Sequence, residues 1–116
     1  MRKLLLVIDE FSELMALETM FRRLGFDVLS LGKEVLVNDA LLRFPPDLVI
    51  LSCKSGNVDG LKLSVRMKKL VPPPRVAILH NQGNVPTLQA HHRRAIDAMI
   101  ESPLRERQVI SVIGQL

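Results

Sequence analysis

Five short apolar runs alternate with stretches of helical periodicity along the chain. Lys3 to Ile8 is continuously apolar and ends in Asp9-Glu10, which predicts a strand covered on both faces in a parallel sheet. Leu14, Leu17, Phe21 and Leu24 then recur at helical spacing, with Ser12 as the expected N-cap and Gly25 as the stop. The unit repeats. Phe26 to Leu31 reads as a second strand and Glu34 to Phe44 as a helix closed by Pro45-Pro46, while Leu48 to Leu51 is a third strand. After a loop at Gly56 come a helix from Gly60 to Leu70, the stop Pro72-Pro73-Pro74, and a fourth strand from Arg75 to Leu79. Thr87 to Ala95 is predicted as a short helix, Ala98 to Ile100 as the fifth strand and Leu104 to Leu116 as the last helix. Five strand-helix units imply an α/β fold, an open parallel sheet with helices on both faces.

Composition narrows this picture. With 116 residues, 47% of them hydrophobic and 24% charged, the chain fits one globular domain spanning residues 1–116. Its four aromatic residues are all Phe, so the core must be aliphatic. No apolar run reaches the ~20 residues that span a bilayer, and the run after Met1-Arg2-Lys3 is too short for a signal peptide, so a cytoplasmic protein without membrane contact is expected. One cysteine, Cys53, excludes an internal disulfide and a cysteine-based zinc cage. Strand alternation turns Cys53 away from its neighbour Ser52, as a small buried hydrophobe.

The stretch from Pro46 to Gly60, PDLVILSCKSGNVDG, resembles the third strand and following loop of the bacterial response-regulator receiver domain. That pattern has proline, aspartate, four apolar residues, an acceptor aspartate and then Gly-x-Asp-Gly. Asp47, Leu48, Val49, Ile50, Leu51, Asp59 and Gly60 match it, but Ser52 stands at the acceptor position. The resemblance extends over the chain and implies a flavodoxin-like (βα)5 three-layer sandwich with strand order 2-1-3-4-5. It also implies a role for each strand end. Asp9 and Glu10 match the acidic pair that helps hold magnesium, His80 the switch threonine or serine, Met99 the switch aromatic, and Ser102-Pro103 the Lys-Pro dipeptide. The interval from His80 to Ser102 equals the family's interval between switch hydroxyl and lysine.

In open α/β sheets ligands sit beyond the carboxyl ends of the strands, so Asp9, Glu10, Ser52, His80 and Ser102 are the candidate pocket. Phosphoryl transfer to a receiver needs a carboxylate nucleophile, a divalent metal and fixed positive charge. Ser52 supplies a neutral hydroxyl and one metal-ligating charge fewer, and Ser102 supplies no cation. The expectation is therefore a pseudo-receiver without catalytic residues: not an enzyme, and a phosphorylation-independent protein-protein interaction module in bacterial signal transduction. No cofactor is expected, magnesium being suggested only by the adjacent acids Asp9 and Glu10. The alternative is a small-ligand or divalent-metal sensor built from Asp9, Glu10, Ser52 and His80. Ser52, His80 and Asp9 are also the residue types of a hydrolase triad, but Ser52 lacks the Gly-x-Ser-x-Gly elbow.

Without switch chemistry, function falls to surfaces. The expected interaction face carries His91, His92, Arg93, Arg94, Asp97, Glu101, Arg105 and Arg107 on the fourth helix, fifth strand and fifth helix. In receivers this face commonly dimerises or meets a signalling partner, and its mixed charges could self-complement across a two-fold axis. Lys62, Arg66 and Lys69 form a separate basic stripe, a solvated face by default and otherwise a contact for an acidic partner. Nucleic-acid binding is not expected: no Trp or Tyr offers a stacking platform and no helix-turn-helix is recognisable.

Overall fold

A computed structural model describes residues 2–53, 57–81, 83, 85–102 and 105–115. Five parallel strands, β1 (Lys3–Val7), β2 (Asp27–Leu31), β3 (Leu48–Ser52), β4 (Arg75–Asn81) and β5 (Ala98–Ser102), form one sheet in the order β2-β1-β3-β4-β5. This is the flavodoxin-like order implied by the resemblance. The interior strands β1 and β3 carry the continuous apolar runs because both of their faces are covered; Leu4 to Val7 and all of β3 are buried.

Strand alternation divides the core into two layers. Leu4, Leu6, Leu48, Ile50, Ala77, Leu79 and Ile100 meet Leu14, Leu17 and Phe21 of α1 (Phe11–Arg23) and Val109 of α5 (Glu106–Gln115). On the other face Leu5, Val7, Val49, Leu51, Val76 and Ile78 meet Val37 of α2 (Val37–Arg43) and Leu63 and Met67 of α3 (Gly60–Met67). The last helix on that face, α4 (Ala90–Ala95), packs beside α3. No described helix is long and apolar enough to cross a membrane.

Element ends differ from the expectations for local reasons. Ser12 is not the N-cap of α1. The helix starts two residues earlier and Glu10 caps it, its carboxylate accepting the Ser12 N–H at 3.1 Å and the Glu13 N–H at 2.8 Å. Gly25, at φ +94°, does end that helix. The helix expected from Glu34 opens with a 3-10 turn over Glu34–Leu36 before α2 begins. α3 stops at Met67 because Lys69 and Leu70 donate to carbonyls three residues back, which tightens the last turn. α4 starts at Ala90 rather than Thr87; Gln89 is extended, and its N–H is accepted by His92 Nδ1 at 3.4 Å. β4 and β5 run to Asn81 and Ser102 because their final residues pair with each other, so His80 and Ser102 are ladder members rather than loop residues. The Gly56 loop, Pro103, Leu104 and Leu116 lie outside the described residues.

Candidate functional site

Parallel pairing brings the carboxyl ends of β1, β3, β4 and β5 to one edge of the sheet. Ser52, only 7% exposed, closes β3 and its hydroxyl accepts the backbone N–H of Asp9 at 3.0 Å. The Asp9 carboxylate turns outward to the next loop, where Oδ1 accepts both the backbone N–H and the side-chain amide of Asn57 at 3.2 Å. Glu10 faces α1 instead: its oxygens accept the Ser12 hydroxyl at 2.7 and 2.8 Å as well as the two amides of the cap. Those bonds, the Ser12 hydroxyl first and then the Glu13 and Ser12 amides, hold the Glu10 carboxyl below its ordinary range. Ser102 at the end of β5 donates its hydroxyl to Glu13 of α1.

Alternation separates the remaining candidates. Ser52 and Ser102 follow Ile50 and Ile100 onto the α1/α5 face, whereas His80 follows Val76 and Ile78 onto the α3/α4 face, together with Cys53 and Met99. His80 lies beside Glu101 of β5 in the register, and its Nδ1 is 3.1 Å from the Asn81 carbonyl. The triad arrangement of Ser52, His80 and Asp9 is therefore not assembled: Ser52 pairs with Leu79, and His80 projects from the opposite side of the sheet.

A second group joins the loops. Asp59 caps α3 by accepting the Lys62 N–H at 3.2 Å, and Gly60 seats the helix start against the end of β3. Glu34 accepts the Asp59 N–H at 3.0 Å and pairs with Lys62 at 3.3 Å. The Asp59 N–H chiefly, opposed by burial and helped by Lys62 and Arg66, holds the Glu34 carboxyl below its ordinary range.

No family model matches the chain. Over 87 residues it is 28% identical to Sporulation initiation phosphotransferase F of Bacillus subtilis, covering 75% of this chain and 70% of that protein. Among solved structures, the CheY-like response regulator receiver domain of Methylobacillus flagellatus superposes with a TM-score of 0.85 at 16% identity, over 98% of this chain and 97% of that one. The CheY-like receiver domain protein of Methanospirillum hungatei gives 0.85 at 18% identity, over 99% and 92%. The chain has the fold of the response-regulator receiver domains.

Within that receiver frame, the surviving Asp59-Gly60 pair does structural work as cap and close approach. The magnesium implied by the resemblance does not fit the donors present. Both oxygens of Glu10 are taken up by the helix cap, Asp9 Oδ1 is held by Asn57, and the hydroxyl at the acceptor position receives a backbone N–H. Among the described residues no group of three or more His, Cys, Asp or Glu converges on a metal position. Asn57, Glu13 and Glu34 were not picked out from the sequence. Their partners lie 25 to 89 residues away in the chain, and nothing in their spacing marks them.

Ser52→Ala leaves the part-buried Asp9 N–H without its acceptor. A loss of about 1–2 kcal/mol is expected in urea denaturation. An unchanged midpoint would mean that the hydroxyl does not hold β1 to β3.

Proposed function

We propose that this receiver-type domain is a phosphorylation-independent protein-interaction module of bacterial two-component signalling, a non-enzymatic cytoplasmic pseudo-receiver. The observation that carries the reading is the state of Ser52: a buried neutral hydroxyl, engaged by the Asp9 N–H, where a receiver presents a carboxylate. The hydroxyl of Ser102, bonded to Glu13, stands where the family's cation would stabilise charge on a phosphoryl group. Likeness to a sporulation phosphotransferase and to receiver domains supports the signalling context.

Binding would use the face of α4, β5 and α5. There Met99, Ile100, Glu101, Gln108 and Ser111 line a shallow cleft of about 250 Å³. His91, Arg93, Arg94, Glu101, Arg105 and Arg107 are exposed, while His92 is half-buried in the α4 cap. Asp97 is exposed as a residue too, but its side chain differs from theirs. Its side chain is 21% exposed and engages Lys68 at 2.5 Å and Arg75 at 3.6 Å, so its charge is satisfied internally.

The test is backbone amide NMR during addition of magnesium and then beryllofluoride, a mimic of the acyl-phosphate state. No shift at Asp9, Ser52 or Met99 is expected on either addition. Shifts that spread from Ser52 through Met99 on beryllofluoride would sink the reading.

A further inference from the structure

The charge of this chain is segregated. Between Gly60 and Ile96 there are seven Lys and Arg and no Asp or Glu, whereas the other 79 residues hold nine basic and all twelve acidic residues. The formal net charge of +4 thus arises from one segment comprising α3, the proline loop, β4 and α4. Folding sharpens the imbalance. Three of the seven cations are neutralised by acids from outside the segment: Lys62 by Glu34, and Lys68 and Arg75 by Asp97. The other four, Arg66 on α3, Lys69 two residues past its end, and Arg93 and Arg94 on α4, are exposed, and among the described residues none has a carboxylate within ion-pair distance. Among the described residues, Arg66 bonds to the neutral side chain of Asn38. Because α3 and α4 pack side by side on one face of the sheet, these charges lie on or just past neighbouring helices.

We infer that the α3/α4 surface docks an acidic protein segment, one rich in Asp and Glu. Uncompensated like charge on two adjacent helices raises the local potential, and a partner of opposite sign relieves that repulsion while being steered to the surface. Two other anionic partners fit less well. A single-stranded nucleic acid calls for aromatic platforms, and all four Phe of the chain (Phe11, Phe21, Phe26 and Phe44) lie outside the segment. An anionic membrane favours several apolar side chains interleaved with the cations along a helix, yet the exposed large hydrophobics described in the segment are Val71 and Val85, one in each of two loops, with none on α3 or α4. An acidic segment needs only the cations. The inference deepens the proposed function and rests on its interaction reading: it shares Arg93 and Arg94 of α4 with that face, extends the surface to α3 and names the partner's chemistry. A domain that answered beryllofluoride but still bound acidic peptide would lose the first reading and keep this one.

The experiment measures fluorescence polarisation of a labelled glutamate-rich peptide titrated with the intact chain, at low and at physiological salt. Saturable, salt-sensitive binding is expected. The triple variant Lys69→Gln, Arg93→Gln, Arg94→Gln should weaken it roughly tenfold. A control of equal net charge, Arg23→Gln, Lys33→Gln, Arg43→Gln, removes three exposed cations elsewhere and should change it less than about twofold. Both variants alter exposed side chains, and an unchanged urea midpoint for each confirms folding. Equal weakening by the two variants would overturn the proposal, because net charge alone would then explain binding. Tighter binding to a DNA duplex or to phosphatidylserine vesicles than to the peptide would overturn it as well. So would sedimentation showing that a second copy of the chain occupies the surface.

Discussion

Gly60→Ala is expected to destabilise the domain by more than about 4 kcal/mol or to prevent folding altogether. A Cβ at this position would lie 1.9 Å from the Ser52 carbonyl oxygen, 2.8 Å from the Ser52 carbonyl carbon and 3.0 Å from Leu51 Cβ. The obstruction is the backbone of an interior strand buried on both faces, so it cannot swing aside as a flexible side chain would. The carbonyl of the next residue, Cys53, also receives the Gly60 N–H at 2.9 Å, which fixes α3 where it is. Gly114 in α5 is the internal control. Its Cβ would meet nothing within 4 Å, and Gly114→Ala should be neutral or stabilising by up to about 1 kcal/mol. Urea denaturation of the two variants decides the matter. If Gly60→Ala lost less than about 1 kcal/mol, α3 would not begin against β3 as described. The result also bears on function, because it would give the Asp59-Gly60 pair a structural role that needs no phosphate chemistry.

Asp97→Ala should cost about 2 kcal/mol. One carboxylate accepts Lys68 Nζ at 2.5 Å and the Val76 N–H at 2.8 Å and faces Arg75, joining the end of α3 to the starts of β4 and β5. Removing it leaves a half-buried ammonium and a part-buried amide without their acceptor. The estimate stays modest because Lys68 keeps the Pro74 carbonyl and the cluster is reached by solvent. Burial pushes the Asp97 carboxyl up, but the hydrogen bonds from Lys68 and Val76 and the charges of Lys68 and Arg75 outweigh it, so its pKa is lowered. A lowered folded-state pKa means that the stabilisation is fully present above the unfolded value near 3.8 and fades as pH falls through the folded value. The stability gap between wild type and Asp97→Ala should therefore be constant near neutrality and narrow below about pH 4. A gap independent of pH down to acid unfolding would mean that the carboxylate is not ion-paired.

The internal pairing of Asp97 bears on the proposed interaction face. The exposed groups left around the β5/α5 cleft are Glu101 with Arg105 and Arg107, while α4 contributes His91, Arg93 and Arg94 without a compensating acid. The face implied by the family resemblance is thus more basic towards α4 than its sequence suggests, which is the side on which it adjoins α3.

The covered interior strands and the stop of α1 at Gly25 were legible in the sequence, because they follow from periodicity and from residues whose backbone preferences act locally, whereas the strand order came from the family resemblance. That Ser52, His80 and Ser102 fall at or beside strand ends was legible too, since each follows an apolar run. Helix ends were less so. Glu10 is a poor N-cap by type, yet it displaces Ser12 because its longer side chain reaches both the Ser12 and Glu13 amides. What only the tertiary structure decided is which polar groups meet. Spacing along the chain placed Ser52, His80 and Asp9 at neighbouring strand ends, but the pairing of Ser52 with Leu79 sends His80 to the opposite face. It likewise joined Ser102 to Glu13, Asp9 to Asn57 and Asp97 to Lys68 across 29 to 89 residues of chain. The sequence determines a strand's side-chain period by itself, whereas register and helix placement are set by the packing of distant segments, and hydrogen bonds between those segments depend on both.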